Sequence, residues 1–481
     1  MNDQDLQALK AGTRSVELLK LLLKRCGDAS VNEEDNFGST SLHYAAFSNK
    51  TETTQLLLEM GCEKDKKDHK GRTAADLAQM LGYGDIVQLL GGAEDTLKSE
   101  IFKLKYISDT KSPSTSINYD EFTELMKQET NESDIDTIYT SLLKSPVLGS
   151  MNYQEKCFQE EAKLVRDEVF HLINCFSERF GHRYPLYAFI PKLRGSMAEG
   201  TKSGPPDEFD FMLQMNALSV HCGVTAIAEC KAHMTIERSA DIHPLMPLFL
   251  AYLQYPGRVI HSIDLHPEQM NGSIYFLLKE YFLKLSKLED SHLSFLRCEI
   301  MKVGVCLELI YNGPLYKQLH ISVDLIPCIP LNIPAPITKH IDWPVPLDFS
   351  ECQLYGLIRH GSSGFDISCT DYEEVLFHSL PSKTATEAYV LGKAIGSNHF
   401  RWCARPFGGV FRPSYVMKKA LLIAFQQHKD TREVSRDEWI KRIISVRSKL
   451  EDIVKNNDGH RCILHVDKWA PGEALRLNLS F

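Results

Sequence analysis

Three acidic residues in two apolar segments have the types and spacing needed for metal-dependent chemistry on phosphates. Glu208 and Asp210 stand in Glu-Phe-Asp-Phe, and Asp324 stands far downstream in Ser-Val-Asp-Leu. Residues i and i+2 of a β-strand face the same side, so Glu208 and Asp210 can direct both carboxylates to one point. Such oxygens are the ligands of Mg²⁺, which keeps coordination positions for substrate phosphates. The spacing therefore predicts a site for two ions that activate an attacking hydroxyl and stabilise a leaving pyrophosphate.

A Gly-Ser pair upstream of these acids could hold the phosphates. Gly195 and Ser196 follow an apolar segment at 187–190, and free backbone N–H groups in such a turn at a helix start bind anions. Together with the three acids, the turn predicts a nucleotidyltransferase site. Taken alone, a Gly-Ser pair is usually only a turn, and an acidic pair at a strand edge is usually solvated.

A sheet supported by helices must position these residues, and the pattern of the chain predicts one. Residues 153–180 carry apolar side chains at helical spacing, which indicates one long helix. Strands are expected near 187–190, 209–213, 303–310 and 319–326, with a hairpin signal at Asn312-Gly313. Beyond residue 344 the pattern turns helical. We expect an α+β fold, with a catalytic lobe at 151–345 and a helical lobe at 346–481.

The N-terminal part contains an internal repeat. The segment Gly38-Ser-Thr-Ser-Leu-His-Tyr-Ala aligns with Gly71-Arg-Thr-Ala-Ala-Asp-Leu-Ala, 33 positions later. This period and phrase are typical of ankyrin repeats, whose helices stack into a single core. We expect an all-α ankyrin stack at 1–93 that binds a protein partner of unknown identity. A linker with short helices is expected at 94–150.

Bulk composition excludes several classes of protein. The chain of 481 residues is 43% hydrophobic and 24% charged, which is ordinary for a globular protein. It contains no apolar run of membrane-spanning length, so no membrane insertion is expected. The 13 cysteines form no C-x-x-C pair, which favours reduced thiols in the cytoplasm, or in the nucleus. Residues 381–481 are net basic and 151–380 net acidic, which suits a polyanionic substrate, or is only solvated surface.

From about residue 153 onward the chain resembles the cyclic GMP–AMP synthase-like receptors, nucleotidyltransferases of the male-abnormal family. The resemblance rests on the order and spacing of the Gly-Ser turn, the Glu-x-Asp pair, the later acid and Ser414-Tyr415. It implies that Glu208, Asp210 and Asp324 bind two Mg²⁺ or Mn²⁺ ions. The nucleotide-binding residues that it implies are Gly195, Ser196, Ser368, Thr370, Glu373, Lys393, Ser414 and Tyr415. The zinc loop of the DNA-sensing vertebrate member has no counterpart at 374–392, so no structural zinc is expected.

The function implied by the resemblance is that of a metal-dependent, ligand-activated nucleotidyltransferase. Its product would be a cyclic dinucleotide, such as cyclic GMP–AMP, made from ATP and GTP for STING-type innate immune signalling. Double-stranded RNA is the expected activator, with DNA or another ligand as alternatives, because an A-form duplex is recognised through phosphates and shape. The basic residues expected to contact it are Lys156, Lys163, Arg166, Lys418 and Lys419. Two alternatives stay open: a catalytically silent ankyrin scaffold, or an oligoadenylate synthase or nucleotide-adding polymerase with the same three acids.

Overall fold

Two hydrophobic cores organise the chain. The computed structural model describes most of residues 31–92, 118–237 and 262–479, with gaps that include 266–273, 283–290, 397–413 and 457–462. The smaller core lies within residues 31–90, and the larger one extends from a sheet into the C-terminal helices. The chain therefore consists of a helical N-terminal region followed by a mixed α+β domain, which confirms the coarse fold class.

Four short helices lie in the described part of the N-terminal region, residues 31–92. Small side chains such as Ala46 and Ala78 are fully buried, which allows close packing between the repeats. His43 joins one repeat to the next: its Nδ1 accepts from Thr40 N at 3.1 Å, which leaves Nε2 to donate to Arg72 O at 3.0 Å. Arg72 in turn donates to Pro314 O at 2.6 Å and so ties the stack to the α+β domain. The helices are α1 (Ser41–Phe47), α2 (Thr51–Glu59), α3 (Ala74–Met80) and α4 (Gly84–Leu89).

Two further helices occupy the described part of the predicted linker, whose residues 94–117 lie outside the described chain. They are α5 (Tyr119–Thr130) and α6 (Ile135–Lys144). Asp134 caps α6 by accepting from two backbone N–H groups of its first turn, which fixes where the helix begins. Their buried side chains, such as Phe122 and Tyr139, belong to the large core. This segment is thus packed against the α+β domain, and Arg436 pairs with Asp136 at 2.5 Å.

A long helix supports the sheet, as the sequence predicts. Helix α7 (Lys156–Arg183) buries residues at intervals of three or four positions, from Phe158 to Phe180. A short 3₁₀ turn, Pro185–Tyr187, then precedes the first strand. The strand predicted at 187–190 therefore lies later in the chain, because proline favours the first position of a helical turn.

The large sheet mixes parallel and antiparallel neighbours. Its strand order is β1-β2-β8-β10-β11-β4-β3-β13, with β7 beside β8, β6 beside β7 and β5 beside β4. The antiparallel pairing of β7 with β8 confirms the predicted hairpin. The strands are β1 (Ile190–Arg194), β2 (Glu208–Gln214), β3 (Cys222–Ala228), β4 (Lys231–Glu237), β5 (Ser262–Leu265), β6 (Leu293–Ile300), β7 (Val305–Tyr311), β8 (Leu319–Pro330), β10 (Tyr355–Leu357), β11 (Phe365–Ser368) and β13 (Lys468–Trp469). Short helices α8 (Gly195–Ala198) and α9 (Asn216–Ser219) follow β1 and β2.

The C-terminal part is mainly helical. A small second sheet joins β12 (Leu464–His465), β14 (Leu475–Leu479) and β9 (Ile337–Lys339). No helix in the described chain is long and apolar enough to cross a membrane. The helices are α10 (Thr370–His378), α11 (Lys383–Gly396), α12 (Ser414–His428) and α13 (Arg436–Asn456).

Candidate active site

Two parallel strands bring the three predicted acids together. Strands β2 and β8 pair so that Asp210 lies opposite Asp324 and Glu208 lies opposite Ser322. Glu208 and Asp210 are two positions apart on β2 and therefore share a face. Asp210 also approaches the Gly-Ser turn: a Cβ on Gly195 would lie 2.3 Å from Asp210 Oδ2. Gly195, with φ of +65°, is required both for its backbone conformation and for this approach.

The carboxylates of this site repel one another in a poorly solvated place. Burial, followed by the charges of Glu208 and Asp324, raises the pKa of Asp210 to about 7. Burial also raises the pKa of Asp324, and a hydrogen bond with Cys306 opposes that shift. Both shifts favour binding of a positive charge between the acids, since a cation would relieve the repulsion.

Three lysines share a cavity with these acids: Lys202 and Lys418 are buried, Lys393 is half-buried, and only Lys393 was predicted to bind nucleotide. Lys202 Nζ lies 2.7 Å from Asp207 and 3.4 Å from Glu208; burial lowers its pKa, but these carboxylates outweigh burial and the pKa is raised. Lys393 donates to Thr201 O at 3.2 Å, and burial together with the Lys202 charge lowers its pKa to about 8.

The third lysine corrects a prediction. Lys418 was expected to contact duplex nucleic acid, but its side chain is 7% exposed and pairs with Glu199, which is 5% exposed. Lys419 is buried too. Neither side chain is accessible to an external duplex, so this part of the predicted basic face is wrong. Sequence reasoning assigned no role to Lys202, although its partners Asp207 and Glu208 are close in the sequence. The Glu199–Lys418 pair was not visible in the sequence because its members are 219 positions apart.

The cavity beside the acids has a volume of about 870 Å³. Asp324 is not among its lining residues, although it lies next to Asp210 in the sheet. Lys202 and Lys418 also line it. The predicted site residues that line it are Gly195, Ser196, Glu208, Asp210, Ser368, Thr370, Glu373, Lys393, Ser414 and Tyr415.

One end of the cavity combines an aromatic ring with buried polar groups. Tyr415 is half-buried, and its hydroxyl donates to Glu373 Oε1 at 3.3 Å. Glu373 also accepts from Ile463 N at 3.1 Å. The hydroxyls of Ser368 and Thr370 contact each other nearby. An aromatic face with donors and acceptors around it is suited to a nucleobase.

Comparisons with known proteins support part of the sequence interpretation. A family model described as ankyrin repeats (3 copies) matches residues 6–99, which confirms the predicted ankyrin stack. Curated relatives include the NAD-capped RNA hydrolase NUDT12 of Homo sapiens, Pongo abelii and Macaca fascicularis. Each is 24% identical over 236 residues, which is 48% of this chain and 50% of the relative. The chain thus spans about half the length of these curated relatives.

These relatives contradict the predicted enzyme class. Their name describes hydrolases, whereas the sequence motifs predicted a metal-dependent nucleotidyltransferase. Neither the ankyrin family model nor these hydrolases support the resemblance to cyclic GMP–AMP synthase-like receptors. The ankyrin part of that interpretation stands.

The predicted metal ligands do not converge on one point. Among the residues that the structure describes, no three side chains of His, Cys, Asp or Glu form a group that could hold a metal ion. Glu208 is the divergent ligand, since its carboxylate lies beside Lys202 and is 60% exposed. The donors nevertheless suit a hard divalent cation, because all three are carboxylates and two are in register.

Asp210→Asn should stabilise the metal-free protein, and the gain should depend on pH. In the folded chain the pKa of Asp210 is about 7, against an ordinary value of 3.8. Between these values the folded state keeps a proton that the unfolded state loses, so stability falls as pH rises through that window. The variant, which has no such proton, should gain in Tm over the parent from about pH 4 to about pH 7 in EDTA. A Tm difference that stays constant with pH would contradict this account.

Proposed function

We propose that this protein is a metal-dependent enzyme that hydrolyses a phosphoanhydride bond in a nucleotide. The observation that carries the proposal is the pairing of Asp210 with Asp324 beside a cavity that Lys202, Lys393 and Lys418 also line. Paired carboxylates suit Mg²⁺ or Mn²⁺, and buried lysines suit phosphate oxygens. The position of the cavity between the sheet and the C-terminal helices also supports the predicted two-lobed arrangement.

The residues of the chain divide the chemical work among themselves. Lys393 and Lys418 would neutralise negative charge on the bound phosphates, and Tyr415 would stack on the base. A carboxylate of the Asp210–Asp324 pair, of which Asp210 lines the cavity, would accept the proton of the attacking water as the new O–P bond forms and the bond to the leaving phosphate breaks. A bound divalent cation would supply Lewis-acid stabilisation of charge on the phosphate oxygens.

The names of the relatives favour water as the acceptor of the phosphoryl group. The curated relatives are named as hydrolases of NAD-capped RNA. The cap of that RNA contains a pyrophosphate bridge between two nucleosides. A cavity of about 870 Å³ lies near the upper end of the range for small-molecule sites, so it can hold more than one nucleoside. We therefore propose nucleotides with a pyrophosphate or triphosphate group as the substrate class.

The decisive test follows oxygen from the solvent. The full chain would be incubated with Mg²⁺ and, separately, ATP, ATP with GTP, NAD⁺ and NAD-capped RNA in ¹⁸O-labelled water. Hydrolysis places one ¹⁸O atom in a phosphate of the products, which mass spectrometry detects, and EDTA should abolish the reaction. Failure to consume any of these nucleotides, with or without duplex RNA, would overturn the proposal. An unlabelled product that links two nucleotides would overturn hydrolysis as well.

Three predictions made from the sequence remain untested. None of the comparisons bears on a cyclic dinucleotide product, and chromatography of the ATP–GTP reaction would detect it. Double-stranded RNA as activator now rests on Lys156, Lys163 and Arg166 of α7, since Lys418 and Lys419 are buried. Even there, Lys156 pairs with Glu160 at 3.5 Å and Arg166 with Asp167 at 3.4 Å. The ankyrin stack supports a protein partner of unknown identity, and the cytoplasmic location stays a prediction.

A further inference from the structure

Residues 148–154, here called the strap, join α6 to α7 and lie against one wall of the cavity. That wall is the cavity loop (residues 199–207), which carries Lys202. Gly204 N donates to Gly149 O at 2.7 Å, and Asn152 Nδ2 donates to Gly200 O at 2.9 Å. An isolated antiparallel bridge between Ser150 and Ser203 lies between these two bonds. The strap therefore holds the cavity loop along much of its length.

The strap itself has a fixed conformation. Gly149 N donates to Ser145 O at 2.7 Å, and a Cβ at Gly149 would lie 2.1 Å from Leu143 O, at the end of α6. Only glycine fits such a close backbone approach. Gln154, which is 3% exposed, donates from Nε2 to Gly149 O at 3.1 Å. The carbonyl of Gly149 is thus held between the strap and the cavity loop.

A second contact links the strap to the opposite side of the cavity. The hydroxyl of Tyr153 donates to Glu387 Oε1 at 2.7 Å. Glu387 lies on α11, the helix that carries Lys393, and Lys393 donates back to the cavity loop at Thr201 O. The strap thus touches the cavity loop, which supplies Lys202, and α11, which supplies Lys393.

We propose that the strap is part of the active site and that Asn152 and Gln154 are positioning residues for the cavity loop. Through the loop they fix Lys202, and through Tyr153 they fix the helix of Lys393, at the separation that nucleotide phosphates require. The nature of the ligand rests on the proposed function, whereas the control of the loop does not. The proposal brings residues N-terminal to α7 into a site that the motifs placed wholly after it.

Hydrogen exchange and nucleotide binding together test this role. In Asn152→Ala, the amides of residues 199–208 should exchange about five times faster than in the unaltered chain, because one hydrogen bond to the loop is lost. Binding of α,β-methylene ATP with Mn²⁺ should weaken about fivefold for the same reason. Turnover at saturating nucleotide should fall by a smaller factor than binding weakens, because Asn152 touches no reacting group. Gly149→Ala should speed exchange and weaken binding more than Asn152→Ala does, because the added methyl group collides with the end of α6.

Asp134→Ala is the matched control, because it removes two hydrogen bonds at the start of α6 without touching the cavity loop. It should leave both exchange at 199–208 and binding unchanged. Unchanged exchange in Asn152→Ala and Gly149→Ala, or an equal rise in Asp134→Ala, would overturn the positioning role. Absence of nucleotide binding by the unaltered chain would instead refute the proposed function, while the exchange data would still decide whether the strap holds the loop.

Discussion

Asp210→Asn should slow metal-dependent cleavage of a nucleotide by about a thousandfold. Asp210 stands between the other two acids, two positions from Glu208 on β2 and in register with Asp324 on β8. An amide keeps the size of the side chain and removes the negative charge that a divalent cation requires. Stabilisation of about 4 kcal/mol in the transition state would be lost, which corresponds to this factor in rate. Initial rates of nucleotide consumption at saturating Mg²⁺ measure the loss.

Glu299→Gln is the matched control, because Glu299 belongs to the same row of the same sheet. Asp210 pairs with Asp324, Asp324 with Cys306, and Cys306 with Glu299. The substitution makes the same change from carboxylate to amide three strands further along, and activity should not change. Unfolding cannot explain an inactive Asp210→Asn, since that variant is expected to be more stable. Equal rates in both variants would show that the three acids take no part in the reaction.

The arrangement of the acids was predictable in part. The two-residue spacing of Glu208 and Asp210 determines that they share a face of any strand. Nothing in that spacing selects β8 as the parallel neighbour or places Asp324 in register with Asp210. Strand pairing across more than a hundred intervening residues depends on how both faces of the sheet are buried. The sequence therefore named Asp324 as a third acid without fixing its place, and the register of β2 and β8 puts it beside Asp210.

The lysines of α12 show why charge runs mislead. Lys418 and Lys419 follow each other in the sequence, which usually indicates a solvated helix face. In the structure, every residue from Val416 to Phe425 is buried, so the helix has no exposed side over that stretch. Burial of Lys418 is tolerated because Glu199 supplies the opposite charge from another part of the chain. Local sequence gives no sign of such a partner.

The strap was not predictable for a related reason. Four of its seven residues, Gly149, Ser150, Asn152 and Gln154, are small or polar, which is typical of a linker, and its contacts with the cavity loop are mostly made by backbone atoms. Backbone hydrogen bonds leave little trace in residue type, except where a side chain would collide. Gly149 is that exception, and its requirement becomes visible only when Leu143 O is seen beside it.

A buried ion-pair network fixes the end of β1, immediately before Gly195. The guanidinium of Arg194 contacts Asp371 and lies 2.7 Å from Glu374, both on α10. Asp371 also accepts from Tyr355 OH at 2.9 Å and from Gln353 N at 3.1 Å. The network therefore joins the strand that leads into the Gly-Ser turn to α10, whose residues Thr370 and Glu373 line the cavity.

Arg194→Met should lower the free energy of unfolding of the α+β domain by about 3–5 kcal/mol, because it leaves two acidic side chains close together without their common cation. Arg194 is 3% exposed, so water cannot replace the lost charge. Arg297→Met is the matched control: Arg297 binds Glu308 through two nitrogens as well, but its side chain is 42% exposed. The control should shift the urea midpoint less, since the Arg297 side chain is already partly solvated and Glu308 keeps a second contact with His320 at 3.2 Å. Tryptophan fluorescence would report the urea midpoint of each variant. Equal shifts in the two variants would show that the Arg194 network adds no more to stability than an exposed pair. A large shift confined to Arg194→Met would establish that the turn beside Asp210 is held in place by a charge cluster on α10.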